Sequence, residues 1–515
     1  KELIVSEIFD GFYVIENLYG SPKKFLYNDE FRTEYITHPT ILKYSGTLTY
    51  DKSCLKVTSL QVDQNKFINS DYGIITSSNI NSGLIFETNY FLKYINSKGN
   101  LDTEIFYFPT SAGRNSDINN EYNYIYSGND SIKAIYNEGK SLKQFIGSKK
   151  VILIYEIFSY TIFDFILSSG TKIVFLINSD CFINWDDKKN RNINDNINFL
   201  HKLKCKYKDK FIICSKNIPT KNKLVESSID SELIPFFIGN DKTIDYKSFE
   251  QKYKNLKKIN IAIILGAGYQ KNHRKSIEQY LDTFYEIIKK NESIVLNIYT
   301  PKSIEYKVKS FKNLKIHHNI TNEELKAELD KTLITFYFAK HDGLGITPFQ
   351  CISSGCYTIS TFNHCLTVFD CYNLKSYIDT EIVGEKNMSN VYEIKDVKQI
   401  EFLFEKALQT IANMKDDDIL QYHNNIININ SYKTLSLSLL KKHFISECCQ
   451  KSNEKIIISA ATYPRKQCQI LYNIENLILH ADHTYIYLNE YEKVPKLFAI
   501  LNETKLFTIK VCKDL

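Results

Sequence analysis

Short, continuous apolar runs alternate with amphipathic stretches along most of the chain. An apolar run of this kind is typical of a strand that is buried on both faces of a parallel sheet. The stretch 84–97 carries apolar residues at helical spacing and ends before Gly99. The pattern predicts an α/β domain in which helices cover both faces of a parallel sheet. The predicted strands are 72–77, 103–108, 151–155, 172–177 and 211–214.

The same alternation starts again after residues 239–258, a polar and lysine-rich segment that we interpret as a linker. Thr321, with a Glu close behind it, predicts the start of a helix. The second half of the chain therefore predicts another parallel sheet. Its predicted strands are 260–265, 293–299, 332–338 and 357–361, and its predicted helices are 276–289, 321–331, 397–413 and 431–449.

The two ends of the chain give weaker patterns. Residues 1–70 contain short β-prone pieces at 47–50 and 55–60, which indicate an extension packed on the next domain or the tail of an upstream domain. The last segment restarts the pattern with a strand at 455–459, a helix at 467–479 and a strand at 485–488. It is a partial further domain or a cap. The predicted domains are 1–70, 71–240, 241–450 and 451–515.

Composition excludes several classes of protein. Of the 515 residues, 43% are hydrophobic and 24% are charged, which is ordinary for a globular protein. The net charge of +6 is small and forms no basic tail, so we expect no nucleic-acid partner. No run of about 18 apolar residues occurs, so no membrane-spanning helix is expected. Because the chain begins at Lys1 and not at Met, we expect it to be part of a longer multidomain chain.

The 12 cysteines include no Cys-x-x-Cys pair. Cys351, Cys356, Cys365 and Cys371 are close in sequence, but their spacing fits no common zinc site, so no metal is expected. Buried free thiols in a reducing compartment, and hence a cytoplasmic location, are the interpretation.

A glycine turn at 342–345 is the most informative motif. Gly343 and Gly345 have no Cβ, so the backbone there can approach a ligand closely. The helix that is predicted to follow would present its first N–H groups and its positive dipole end at this turn, an arrangement that suits a diphosphate. Asp342 precedes the turn and Gln350 lies eight residues further on, so each could reach a sugar at one end of that diphosphate. An ordinary strand–turn–helix junction is the alternative interpretation.

This pattern resembles the nucleotide-sugar signature of GT-B glycosyltransferases, especially the retaining family-4 type. That signature has two Glu residues eight positions apart, with a glycine turn between them and a small-residue helix that ends in Gly. Asp342 and Gln350 stand at the two Glu positions, and Gly355 stands at the helix end. Asp shortens the reach by one methylene, and Gln removes a charge but keeps an acceptor. The resemblance covers about residues 70–445 and implies two Rossmann-like domains that face each other across a cleft.

The resemblance also implies roles for individual residues. Arg274 and Lys275, in a basic loop after the strand 260–265, would neutralise the leaving diphosphate, and Asp342 would hold a donor-sugar hydroxyl. Asn178 and Asp180 follow a strand of the first domain and could contact the acceptor. The residues expected to bind the donor are Gly83, Gly266, Gly268, Gly343, Leu344, Gly345, Ile346, Thr347 and Gln350.

These expectations predict a glycosyltransferase that moves a sugar from a nucleotide-sugar donor to a glycan, protein or other hydroxyl acceptor. By the resemblance it would be retaining, would need no metal, and would serve glycan biosynthesis. The final segment resembles the first β-α-β unit of a GT-A glycosyltransferase. A degenerate GT-B module that binds glycan or acts as a scaffold is one alternative function, and a nucleotide-sugar epimerase is another.

Overall fold

The computed structural model contains two compact units, residues 1–175 with 207–212, and residues 176–206 with 213–515. The structure describes residues 4–9, 12–16, 39–45, 49–51, 54–56, 61–62, 70–77, 83–97, 101, 103–108, 142–147, 149–155, 160–177, 193–235, 243–265, 277–300, 308–318, 320–340, 345–362, 366, 375–386, 389–445, 457–462, 477–479, 481–489, 491 and 494–512.

The N-terminal residues form antiparallel strands. Strands β1, β2, β3 and β6 make one sheet in that order, and β4 pairs with β5. The β-prone pieces predicted at 47–50 and 55–60 overlap β4 and β5, whereas β6 was not predicted. The strands are β1 (Ile4–Phe9), β2 (Phe12–Glu16), β3 (Pro39–Ser45), β4 (Thr49–Asp51), β5 (Cys54–Lys56) and β6 (Gln61–Val62).

The first parallel sheet has six strands in the order β8-β7-β9-β10-β11-β12. Its strands are β7 (Tyr72–Ser77), β8 (Thr103–Phe108), β9 (Val151–Ile154), β10 (Lys172–Ile177), β11 (Phe211–Ser215) and β12 (Glu232–Leu233). The helices are α1 (Gly83–Ser97), α2 (Leu142–Ile146), α3 (Tyr160–Ser168), α4 (Ile193–Tyr207) and α5 (Ile218–Glu226). The predicted strands are confirmed, and those at 72–77, 103–108 and 172–177 have the predicted bounds.

The central strands of this sheet are completely buried. Every residue of β9 and β10 is buried, and the two strands pair in parallel from Lys172 beside Val151 onward. At the start of the sheet the Lys149 ammonium is buried. It forms an ion pair with Glu104 at 2.6 Å and donates to the Ser70 carbonyl at 2.9 Å. An ammonium buried without such partners would be strongly destabilising. The ion pair and the hydrogen bond therefore stabilise the end of the sheet where its strands start.

The second parallel sheet also has six strands, in the order β15-β14-β13-β16-β17-β18. Its strands are β13 (Ile259–Ile264), β14 (Ile294–Thr300), β15 (Leu314–His318), β16 (Ile334–Tyr337), β17 (Tyr357–Ser360) and β18 (Lys375–Tyr377). The helices of this region are α6 (Tyr246–Lys254), α7 (Leu281–Lys290), α8 (Asn322–Leu329), α9 (Ile346–Ser353), α10 (Lys398–Ala412) and α11 (Asp416–Ile445). An antiparallel pair, β19 (Thr380–Lys386) and β20 (Ser389–Ile394), precedes α10.

Three predictions for this region were wrong in their details. The segment 239–258, interpreted as a linker, contains helix α6, in which Phe249 and Tyr253 are fully buried. The helix predicted at 276–289 begins only at Leu281, after a single 3₁₀ turn. The last closing helix, predicted at 431–449, is the second half of the 30-residue helix α11, which begins at Asp416.

The C-terminal segment forms a third parallel sheet with three strands in the order β21-β22-β23. The helix predicted at 467–479 lies outside the described residues except for its last three, and a helix and a strand that were not predicted follow β22. Its elements are β21 (Ile457–Thr462), β22 (His483–Asn489), α12 (Lys496–Asn502) and β23 (Phe507–Cys512). The α/β class with two doubly wound, Rossmann-like sheets is thus confirmed by the strand order itself.

Candidate functional site

The second sheet changes direction between its neighbouring strands β13 and β16. From β13 the chain moves outward through β14 and β15, then returns to add β16, β17 and β18 on the other side. Strands β13 and β16 run parallel, with Ile261 beside Ile334 and Ile263 beside Phe336. Their carboxyl ends are therefore adjacent. In open α/β sheets, ligands bind at the carboxyl ends of the strands, where the strand order reverses in this way.

The loops that leave these two strand ends contain most of the predicted site. The sequence after β13 carries the glycines and the basic residues, and the sequence after β16 carries the glycine turn. The predicted site residues that lie in these loops, outside the described residues, are Gly266, Gly268, Arg274, Lys275, Asp342, Gly343 and Leu344. Both loops start at the adjacent carboxyl ends of β13 and β16.

Helix α9 begins where the glycine turn predicts. Gly345 is its N-cap residue and is buried. Its backbone lies in the left-handed region, at φ 79° and ψ 40°. Other residues rarely adopt this conformation, so the position requires glycine. The helix has no side-chain cap. The N–H groups of Ile346 and Thr347 belong to the first turn, which has no partners within a helix. This helix start therefore offers backbone donors and a positive dipole end to an anion.

Gln350 lies in the second turn of α9. Only 8% of it is exposed, so a small part of its side chain is open to a ligand. Its carbonyl accepts from the Ser354 N–H at 3.0 Å. The role of Gln350 as a ribose ligand stays a prediction.

Two hollows lie at the carboxyl ends of the strands in the second sheet. A closed cavity of 10 Å³, about the room of one water molecule, is lined by the ends of β13 and β16, including Leu265 and Phe338. An open depression of 480 Å³ lies at the ends of β17 and β18 and is lined by Phe362, Tyr377 and Asp379.

The first sheet has its own change of direction, between β7 and β9. Gly83 is the first residue of α1, which follows β7, so this predicted donor-side glycine does lie at a switch point. Two residues there were not predicted. Glu87 on α1 is buried, and burial together with this carboxylate raises the pKa of Tyr155, which directly follows β9. An acidic residue within the apolar start of α1 was the available signal. Asn178 and Asp180, which follow β10, lie outside the described residues.

The C-terminal end of α9 was not predicted as part of any site, yet it is unusually well bonded. Gly355 ends the helix at φ 74°, and the Cys356 N–H donates to the Cys351 carbonyl at 3.0 Å. This is a Schellman motif. The next carbonyls accept from helix α6, since the Lys252 ammonium donates to Ser354 at 2.9 Å and the Tyr253 hydroxyl donates to Gly355 at 3.0 Å.

No helix in the described part of the chain is long and apolar enough to cross a membrane. Among the same residues, no group of three or more histidines, cysteines and carboxylates is placed to hold a metal ion. Five cysteines in the described part of the chain are free thiols. Cys214, Cys351 and Cys356 are buried, as predicted, whereas Cys205 is exposed and Cys512 is half-buried.

No protein-family model matches the sequence, and no curated protein sequence matches it. Solved structures do match. A sucrose-phosphate synthase from Thermosynechococcus elongatus has 6% identity and a TM-score of 0.45, over 72% of this chain and 98% of its own. WaaG, a glycosyltransferase involved in lipopolysaccharide biosynthesis, has 10% identity and a TM-score of 0.43, over 73% and 99%.

A glycosyltransferase from Rickettsia africae matches with 10% identity and a TM-score of 0.49, over 74% of this chain and 100% of its own. The matched structures thus include glycosyltransferases, the class of enzyme that the glycine turn resembles.

Proposed function

We propose that this protein is a glycosyltransferase that uses a nucleotide-sugar donor. The observation that carries the proposal is the adjacency of β13 and β16 at the switch point, with the uncapped start of α9 following β16. A diphosphate bound at this start would meet the N–H groups of Ile346 and Thr347. The basic residues Arg274 and Lys275 follow β13 in sequence and would supply the balancing charge.

In the proposed reaction, the bond between the donor sugar and the diphosphate breaks as a bond to an acceptor hydroxyl forms. Negative charge develops on the leaving diphosphate, and preorganised donors and cations stabilise it. Asp342 would hold a hydroxyl of the transferred sugar, and Gln350 would accept from a ribose hydroxyl. We propose retention of configuration and no metal requirement, as the resemblance implies, with a carbohydrate or glycoprotein as acceptor.

Binding of nucleoside diphosphates tests the proposal directly. UDP, GDP and other nucleoside diphosphates, with and without EDTA, would be titrated while the melting temperature is recorded. A ligand at 100 times its Kd should stabilise the fold by about 2.7 kcal/mol. Arg274→Ala should abolish most of that gain. The matched control is Lys289→Ala, which removes a positive charge from an exposed position on α7 and should leave the gain intact.

Turnover separates the proposed enzyme from its alternatives. A transferase is expected to release sugar slowly from its donor to water, and NMR of the released anomer reports retention or inversion. Binding without release would favour the glycan-binding or scaffold module, and epimerised donor would favour the epimerase. No stabilisation by any nucleoside diphosphate would reject the nucleotide-sugar site at α9.

A further inference from the structure

Helix α6 is a fixed element of the second unit, although its sequence is polar. Asp245 caps it by accepting from the Ser248 N–H at 2.9 Å. Phe249 packs against Tyr422 and His423 of α11, with ring centroids at 5.7 and 5.3 Å. His423 in turn contacts the Ile244 carbonyl through Nε2 at 2.8 Å. These contacts hold α6 in place, so Lys252 on α6 can in turn hold the residues that it contacts.

Lys252 contacts the C-terminal ends of two helices at once. Its ammonium donates to the Leu329 carbonyl at the end of α8, at 3.1 Å, and to the Ser354 carbonyl at the end of α9, at 2.9 Å. The residue is partly exposed, and its ammonium points inward to these two carbonyls. Helix C-termini carry partial negative charge and carbonyls that lack partners within the helix. One cation thus bonds both ends, although the Leu329 carbonyl also accepts from the Thr332 N–H at 3.0 Å.

The other polar neighbours of the ammonium include Cys356 and Asp330. Burial lowers the pKa of Lys252, and the neighbouring Cys356 and Asp330 oppose that shift. The Cys356 thiol lies 3.7 Å from the Lys252 ammonium. Burial also raises the pKa of Cys356, which keeps that thiol neutral. The carbonyls of the two helix ends are therefore the main partners of the charge.

The contact between α6 and α9 is also close sterically. A Cβ placed on Gly355 would lie 2.7 Å from the Phe249 ring. Tyr253 donates to the Gly355 carbonyl at 3.0 Å. Together with Phe249 and Lys252, three residues of α6 thus contact the end of α9. Helix α9 has eight residues and is about 12 Å long. A shift at its C-terminal end therefore moves the N-terminal turn at Ile346.

We infer that Lys252 is a positioning residue for the diphosphate site: it holds the ends of α8 and α9 together and so fixes the N-terminal turn of α9. The inference rests on the proposed function, because it takes the start of α9 as the place where the diphosphate binds. The geometry of binding and reacting groups must be held closely, since a misplacement of about 1 Å can cost a hundredfold in rate. Lys252 acts through the helix and does not touch the ligand.

The test compares two substitutions of the same kind on one helix. Lys252→Met removes the ammonium but keeps most of the stem. The matched control, Lys254→Met, removes an exposed lysine that pairs with Glu250 at 2.8 Å and Asp416 at 2.7 Å. Calorimetry with UDP or GDP, whichever the wild type binds, would measure Kd well below the melting temperature. We expect about tenfold weaker binding for Lys252→Met and no change for Lys254→Met.

A second control separates position from stability. Phe404→Leu loosens α10, where Phe404 is buried against Phe336, at a distance of 6.0 Å between ring centroids. It should lower the melting temperature and leave Kd unchanged. Equal Kd values for Lys252→Met and the wild type would overturn the inference. If Lys252→Met does not fold, Tyr253→Phe replaces it. This variant loses only the hydroxyl that bonds Gly355, and we expect about threefold weaker binding.

Amide hydrogen exchange tests the inference without any ligand. Lys252→Met should speed exchange in residues 346–353 about tenfold, while exchange in α7 stays as in the wild type. Unchanged exchange in α9 would overturn the inference even if the protein binds a nucleoside diphosphate. If the wild type binds none, the proposed function fails, and exchange in α9 still decides whether Lys252 fixes this helix.

Discussion

The two faces of the second sheet differ sharply in chemistry. Neighbouring residues in a parallel pair share a face, and the faces alternate along each strand. The face under α7 and α10, here the apolar face, carries Ile261, Ile263, Leu296, Ile298, Ile334, Phe336 and Ile359. The face under α8 and α9, here the polar face, carries Asn297, Tyr299, His317, Thr335, Thr358 and Ser360, besides the less polar residues Ala262, Ile264, Val295 and Tyr337.

Packing holds most of the apolar face, and at its edge the Tyr357 and Ser376 hydroxyls share a hydrogen bond of 2.6 Å. Phe336 contacts Phe284 of α7, with ring centroids at 4.9 Å, and Phe404 of α10 at 6.0 Å. On the polar face, side chains bond to one another: Thr335 and Thr358 share a hydrogen bond of 3.0 Å, and His317 Nε2 lies 3.1 Å from Asn297 Oδ1. Apolar packing has no preferred direction, whereas hydrogen bonds fix direction. The polar face is thus suited to hold α9, the helix of the proposed site, in one position.

Phe336→Ala should have the largest effect, because it removes a buried aromatic ring from the apolar face. We expect a loss of about 3–5 kcal/mol in the free energy of unfolding, measured with urea. Ligand affinity of the folded protein should not change. Phe402→Ala is the control, since Phe402 is 61% exposed on α10 and should cost little. Weaker ligand binding by folded Phe336→Ala would show that both faces position the site.

Thr335→Val tests the polar face and should cost about 1–3 kcal/mol, because it leaves the Thr358 hydroxyl buried without this partner. The double variant Thr335→Val with Thr358→Val removes both hydroxyls and should recover much of the loss. Urea unfolding of the two single variants and the double variant gives the coupling energy. A loss in the double variant equal to the sum of the single losses would contradict the expected coupling.

His317 should give the smallest effect, and it depends on pH. Burial lowers the pKa of this imidazole in the folded protein, with Glu328 opposing and Lys315 and His318 adding to the shift. The unfolded chain therefore takes up a proton first as pH falls below about 6.5. The stabilisation is present above that pH and is lost as pH falls through the folded pKa. His317→Gln should show a shallower loss of stability between pH 7 and 5, and an unchanged slope would contradict the assignment.

Strands were predictable because burial on both faces leaves a plain mark in the sequence. The run Val151–Ile154 is apolar at every position and is buried at every position. The start of α9 was predictable for a related reason, since Gly345 is the residue that a left-handed N-cap requires. Features of this kind depend on residues that are close together in the sequence. They gave the sheets and the place of the candidate site.

What was missed depends on contacts between distant residues or on composition that conceals a pattern. Tyr246, Phe249 and Tyr253 have helical spacing, but the lysines around them made α6 look like a linker. The contact of Lys252 with Ser354 joins residues 102 positions apart, and no local signal predicts it. Glu87 was missed because only the fold shows that it is buried.

Helix α11 has a consequence for how the protein comes apart. At 30 residues it is about 45 Å long. Along that length Tyr422 stacks on Phe249 of α6, Ser436 donates to the Pro235 carbonyl at 2.6 Å, and Lys442 donates to the Ala481 carbonyl. Three segments that are remote from one another in sequence thus contact the same helix. Melting of any one of them removes a partner from the same helix, so we expect these three segments to melt together on heating.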